Sequence, residues 1–388
     1  MSVVAPAAVK PPTRSRDAGR LRGQVVYLYA FDIAYDMQRH ALPTLLGQPV
    51  STFQMDASKR SPKQLFFYRP QMVRLPAVEK IAARGGLVRL ETVVKIMPVG
   101  ALSISIRVPF EVDDLRELVD YHDLRFTSGG GVSDDARELG EQVRQELLPH
   151  LINPVPMLGD VEAYTAFCID GPLQDVYAGE PVDVSAEKWL QTHRRDVSAL
   201  LTQEEDPELL SAQEAEESSS RSFSYYHDDL CVIDWDAALV VDDPREFDET
   251  LYLMELANVQ LAELEAYDRL LDDAVEHAYR DVKRSGAWRF LSRTQRGLRE
   301  LRVDAARIND ELSNITKFFG DWHSARLYQG LAERFHLADW HTSVRSKLTA
   351  LDEIYQLLGD DQHHRTTIVL ELAVVILFVI EIVRSFMH

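Results

Sequence analysis

Cysteine is nearly absent: Cys168 and Cys231 are the whole complement of a 388-residue chain. Both sit in apolar, strand-like runs, AFCID and LCVIDW. That placement reads as buried thiols in a reducing compartment, and no zinc-ligand spacing exists. Positive charge is also short. The 42 Lys and Arg face 62 Asp and Glu, for a net charge of −20. Such a balance excludes the general basic surface that nucleic-acid binders present to phosphate. The opening segment, MSVVAPAAVKPPTRSRDAGRLRG, lacks the apolar stretch of a secretory signal, and its prolines spoil an amphipathic transit helix. It is expected to be a disordered basic tail over residues 1–22. Catalytic signatures are missing too, with no GxSxG, HExxH or Walker sequence. No catalytic residue and no cofactor is nominated, and a non-enzymatic protein is expected.

What is present reads as α+β. From residue 23 to 241, β-branched and aromatic runs of strand length recur: QVVYLYAFDI, LFFYRPQMVRL, LVRLETVVKIM, ALSISIRVPF, YTAFCID and DLCVIDWDAALVV. Amphipathic pieces lie between them, IAYDMQRHALPTLL, DDLRELVDYHDL and ELGEQVRQELLPHL. Interleaved strands and short helices predict an N-terminal mixed sheet with covering helices, and a ferredoxin-like arrangement fits. Residues 203–222 hold seven acids before the first base and read as a disordered acidic insertion. The glycine loop Thr127–Gly131 enters a helix, as phosphate cradles do. No lysine follows at Walker spacing and two acids open the helix, so a flexible loop is the better reading.

Past residue 242 the apolar period lengthens to three and four. Leu251, Met254 and Leu261 belong to a first helix, about 245–284. Leu301, Ile308 and Phe319 mark a second, and Val344, Leu351 and Leu358 a third that leads to the tail. An antiparallel helical bundle or coiled coil over 242–360 is predicted. The segment HHRTTIVLELAVVILFVIEIVRSFMH then reads as a single C-terminal transmembrane helix over 363–386, about 31 Å long from Thr366 to Phe386. Two acids interrupt it, Glu371 and Glu381. They are expected at helix contacts within the bilayer, near Arg365 or Arg384 of a neighbouring copy. The competing reading is a buried helix closing a soluble oligomer.

Two further clusters carry possible chemistry. Between the first two helices, Lys283, Arg284, Trp288, Arg289, Arg293, Arg296 and Arg299 form a basic turn in an otherwise acidic chain. Beside the third helix's membrane end it would meet anionic lipid; at the far end it would meet RNA or a ribosome. A kink at His336–Asp339 decides between these placements. Asp234 and Asp236, two apart on a strand, would share one face and are weak candidates for a divalent cation, although acids two apart also occur on any solvated strand.

The C-terminal third also resembles a known family. FFGDWHSARLYQGLAERFHLADWHTSVRSKLTALDEIYQLLGDD, followed by VLELAVVILFVIEIVRSF, is similar to the end of DUF155 proteins, with Asp321-Trp322, Leu370-Glu371 and Glu381 as the shared marks. DDLCVIDWDAALVVDD with ELANVQLAELEAYDRLL is similar to bacterial members, so the resemblance covers roughly 225–386. It implies membrane association and, from eukaryotic members, support of mitochondrial translation by tethering ribosomes. It supplies no catalytic residues. The combined expectation is a tail-anchored, self-associating membrane scaffold with its bulk in the cytoplasm at a bacterial inner membrane, or at an organellar one. A ribosome or RNA tether is the alternative and a metal-dependent enzyme the third reading. No small-molecule substrate is indicated.

Overall fold

The computed structural model describes residues 20–38, 41–53, 70–155, 158–159, 161–177, 180–283 and 322–386. They divide into two compact units. The described part of the first runs to Ala262 and resumes from Trp322 to Phe335; that of the second holds Glu263–Lys283 and His336–Phe386.

The first unit is organised by a ten-stranded sheet. Its strands are β1 (Leu21–Asp32), β2 (Ser51–Thr52), β3 (Gln71–Arg74), β4 (Val78–Ile81), β5 (Leu87–Ile96), β6 (Ala101–Val112), β7 (Glu162–Asp170), β8 (Ser222–Phe223), β9 (Leu230–Ile233) and β10 (Ala237–Asp242). The order is β8-β9-β10-β7-β1-β6-β5-β3-β2, with β4 also paired to β5. Among the described strands only β7 and β10 run parallel, and every other pairing in this sheet is antiparallel. Among the described residues the α-helices are α1 (Val132–Leu147), α2 (Ala186–Leu201), α3 (Ala212–Ser218), α4 (Phe247–Lys283), α5 (Trp322–Arg334) and α6 (Leu337–Phe386).

Over Val25–Phe31 the central strand β1 is buried on both faces, which is why that stretch is an unbroken apolar and aromatic run instead of an alternating one. Val25, Tyr27, Tyr29 and Phe31 point into one core with Val143 of α1 and Trp189 and Val197 of α2. The alternate residues Val26, Leu28 and Ala30 are equally buried on the opposite face. There α4 lies against the sheet: the Asn258 amide donates to the carbonyls of Leu28 (3.3 Å) and Glu162 (3.1 Å). Phe335, just past α5, meets Tyr164 of β7 edge-on at 5.0 Å. Gly100 closes the β5–β6 turn at φ +94, where any Cβ would strike the carbonyl of Ala34.

Several expectations are corrected here. The sheet is too large and its order too different for a ferredoxin-like arrangement. The described residues of IAYDMQRHALPTLL are not helical, and Ala34–Met37 is a short strand paired with Leu151–Pro154. Residues 203–222 are ordered: Ser211 caps α3 by accepting from the Glu214 N–H, and Ala215 packs inward. The sheet unit does not end at 241, since the first turns of α4 supply Phe247, Leu251, Met254 and Ala257 to its core. The break left open at His336–Asp339 is present, with His336 at φ +51 between α5 and α6.

The transmembrane reading is also overturned. Among the described residues no helix is long and apolar enough to cross a membrane. Between Glu371 and Glu381 only nine apolar residues run uninterrupted. That is about 14 Å of helix against a hydrocarbon core of about 30 Å. With the span go the tail anchor and the membrane localisation built on it.

Candidate functional site

In the second unit, α6 is a single helix of 50 residues, about 75 Å long. Its first half packs on the end of α4. Lys347 Nζ bridges Asp268 (2.8 Å) and Asp272 (2.6 Å), and Ser343 donates to Asp268 at 2.8 Å. Val344, Leu351 and Ile354 are buried there, as is Leu271 of α4. The far end is different. Every side chain from Val374 to Ile380, and Ile382, is 50–65% exposed. Seven consecutive residues turn through nearly two full helical turns, so this end is apolar on all sides. Glu371 and Arg384 are exposed at its margins. The side chains of Glu381 and Arg365 lie outside the described residues, so the expected carboxylate contacts are not placed.

The Asp pair is taken apart by the fold. DLCVIDWDAALVV is a hairpin, and Asp234–Asp236 form its turn between β9 and β10. Asp234 is buried and already paired: the Arg334 guanidinium donates to its Oδ1 from Nε at 3.0 Å and also from Nη2. Arg334 Nη1 reaches Glu217 at 3.1 Å, which ties α3, α5 and the hairpin together. Asp236 is exposed. Among the described residues no three His, Cys, Asp or Glu side chains gather as a metal site. Asp229, from the neighbouring acid run, accepts the N–H groups of Tyr225 and Tyr226.

Other polar groups are likewise spent on the fold. Lys95 and Glu255 form an ion pair between β5 and α4, with side chains only 6% and 1% exposed. The Lys95 ammonium also lies 4.3 Å from the Phe53 ring centre. The α1 end of the glycine loop is closed by its own acid, because the Gly131 N–H donates to Asp134 Oδ2 at 2.8 Å. An open cleft of about 270 Å³ beside α1 is floored by Leu90, Ile106 and Leu139, and its cation, Lys80, is paired with Asp135 at 2.6 Å. Cys168 and Cys231 are free and sealed. Burial pushes the Cys168 thiol up to about 12 and that of Cys231 higher still. Of the basic turn, Lys283 ends α4 without a described side chain, and Arg284, Trp288, Arg289, Arg293, Arg296 and Arg299 lie outside the described residues.

The molecule is thus an α+β sheet protein carrying a long helix with an uncovered apolar end. Residues 22–248 match the family described as uncharacterized protein MJ0711, N-terminal domain, and the chain belongs to that family. It is 25% identical over 161 residues to the uncharacterized protein MJ0711 of Methanocaldococcus jannaschii, covering 42% of this chain and 50% of the relative. The chain therefore spans about half the length of that relative. No solved structure matches it. The DUF155 resemblance is corrected by this family match. It rested on the C-terminal third, where helical periodicity and an apolar tail are shared by unrelated proteins, whereas the match lies almost wholly upstream, over the sheet.

Proposed function

We propose that the protein is a non-enzymatic scaffold that gathers copies of itself through the far end of α6. The observation that carries this reading is the all-round apolar segment Val374–Ile380. A surface helix of a monomer is apolar along one stripe, and a segment apolar on every side is normally buried. No described helix can cross a membrane, so the reading assigns that burial to other copies of the chain. The pairing of the buried ionisable groups in the sheet unit, Asp234 with Arg334 and Lys95 with Glu255, supports a framework role for them. The test is the mass of the full chain by light scattering across a concentration series. Association that grows with concentration, and that is lost in the doubly substituted V375D/V379D, is expected. A wild-type chain that stays at 44.2 kDa throughout the series would sink the proposal.

A further inference from the structure

We infer that the far half of α6 assembles as a parallel, in-register bundle of three or more copies of this chain. This rests on the scaffold reading and adds the geometry of the contact and the minimum number of copies.

A heptad register runs through α6 without a shift. Val344, Leu351 and Leu358 recur every seventh residue, and the same count reaches Leu372, Val379 and Phe386. These are a positions of one seam; its d positions include Ile354, Ile368, Val375 and Ile382. In the near half this seam is covered within the chain. Val344, Leu351 and Ile354 are buried, and Lys347, also at d, is held by Asp268 and Asp272 of α4. Beyond the two charged positions Asp361 (d) and Arg365 (a) the same seven-residue count continues, yet Val375, Val379 and Ile382 are more than half exposed. A seam that is closed along one stretch and open along the next, with its register intact, calls for more helices of the same kind.

The identity of the seam residues points to the number. β-Branched residues at d, with leucine at a, disfavour two-stranded packing and favour three or four strands. Here d is Ile368, Val375 and Ile382, and one a position is Leu372. The flanking e positions are apolar as well, Val369, Ile376 and Val383. A two-stranded contact would leave them in water, whereas a larger bundle covers them. Closed rings of three or more subunits relate their members by rotation about one axis, so central helices run parallel. The acids then have a simple place: Glu371 falls at g, Glu381 at c and Arg384 at f, all off the seam.

Sedimentation equilibrium of the full chain is the test, with circular dichroism as a check that each variant is folded. A mass of at least three times 44.2 kDa is expected for the wild type. V379D, on the seam, is expected to give a folded monomer; R384E, off it, is expected to keep the wild-type mass. A wild-type monomer would overturn both the bundle and the scaffold reading. A wild-type dimer, or dissociation by R384E with V379D unaffected, would overturn the bundle while leaving self-association standing. A stable complex of one copy with a different protein, in place of the homo-oligomer, would also overturn it.

Discussion

Lys95 and Glu255 illustrate what the buried charges of this molecule do. Each is almost fully removed from water and each is the other's counter-ion. The Coulomb attraction offsets a large desolvation cost, so such a pair adds little net stability, but either partner left alone is expensive. Lys95→Met is therefore expected to destabilise the protein by about 3–5 kcal/mol in chemical denaturation. The double substitution K95M/E255L should recover most of that loss. A second residue-scale effect concerns acid. Hydrogen bonds from Arg144 and Gln145 hold the Glu141 carboxyl at about 2, below its ordinary 4.5. A carboxyl lowered in the folded state stabilises fully above its unfolded value and loses that contribution as pH falls through the folded one. Stability should accordingly drop as the pH goes from about 4.5 towards 2, and Glu141→Gln should flatten that part of the profile.

At the scale of elements, α5 is seated on β8 through a glycine. A Cβ on Gly330 would run into the ring of Phe223, and the Arg326 guanidinium lies 5.9 Å from the centre of that ring. Alanine is the better helix former by about 1 kcal/mol, while forcing extra volume into a packed contact costs about 1–3 kcal/mol. Gly330→Ala is thus expected to lower the melting temperature, and the same change in a Phe223→Leu background should raise it. If the helix preference won in both backgrounds, the close seating of α5 would be refuted.

Elements also differ in how plainly their sequences declare them. The long strands β1, β5, β6 and β7 and the helix α4 are legible, because each carries its own period over ten or so residues. The hairpin β9–β10 is not: Asp234-Trp235-Asp236 turns the chain without glycine or proline, and the run reads as one strand. The helix α2 escapes as well, since its buried face mixes Trp189 and His193 with Val197 and Leu200 instead of a clean aliphatic stripe. The acids of 203–222 suggest disorder, yet Ser198 and Ser219 both donate to the Ala215 carbonyl and lock α3 in place.

Across the whole molecule, hydrophobic length and hydrophobic period carry different messages. The tail residues 368–386 taken by length imitate a membrane span. Taken by period, they continue the seam that begins at Val344, whose near half is covered within the chain while Val375, Val379 and Ile382 of the far half are exposed. The residues that sequence reasoning overlooked, Val375, Val379 and Ile382, were visible in this way as every-third-and-fourth positions, masked by the uniform apolarity around them. The number of sheet strands was beyond reach for another reason: strands as short as Ser51–Thr52 and Ser222–Phe223 exist only because a longer neighbour pairs with them.

The two sealed thiols have a practical side. With Cys168 and Cys231 both buried and held far from ionisation, the folded chain offers no reactive sulfur to a maleimide. A cysteine introduced on the exposed flank of α6 would be labelled alone, giving a spectroscopic ruler without stripping the native thiols. In the same experiment, any modification of Cys168 or Cys231 would serve as a clock for the opening of the sheet.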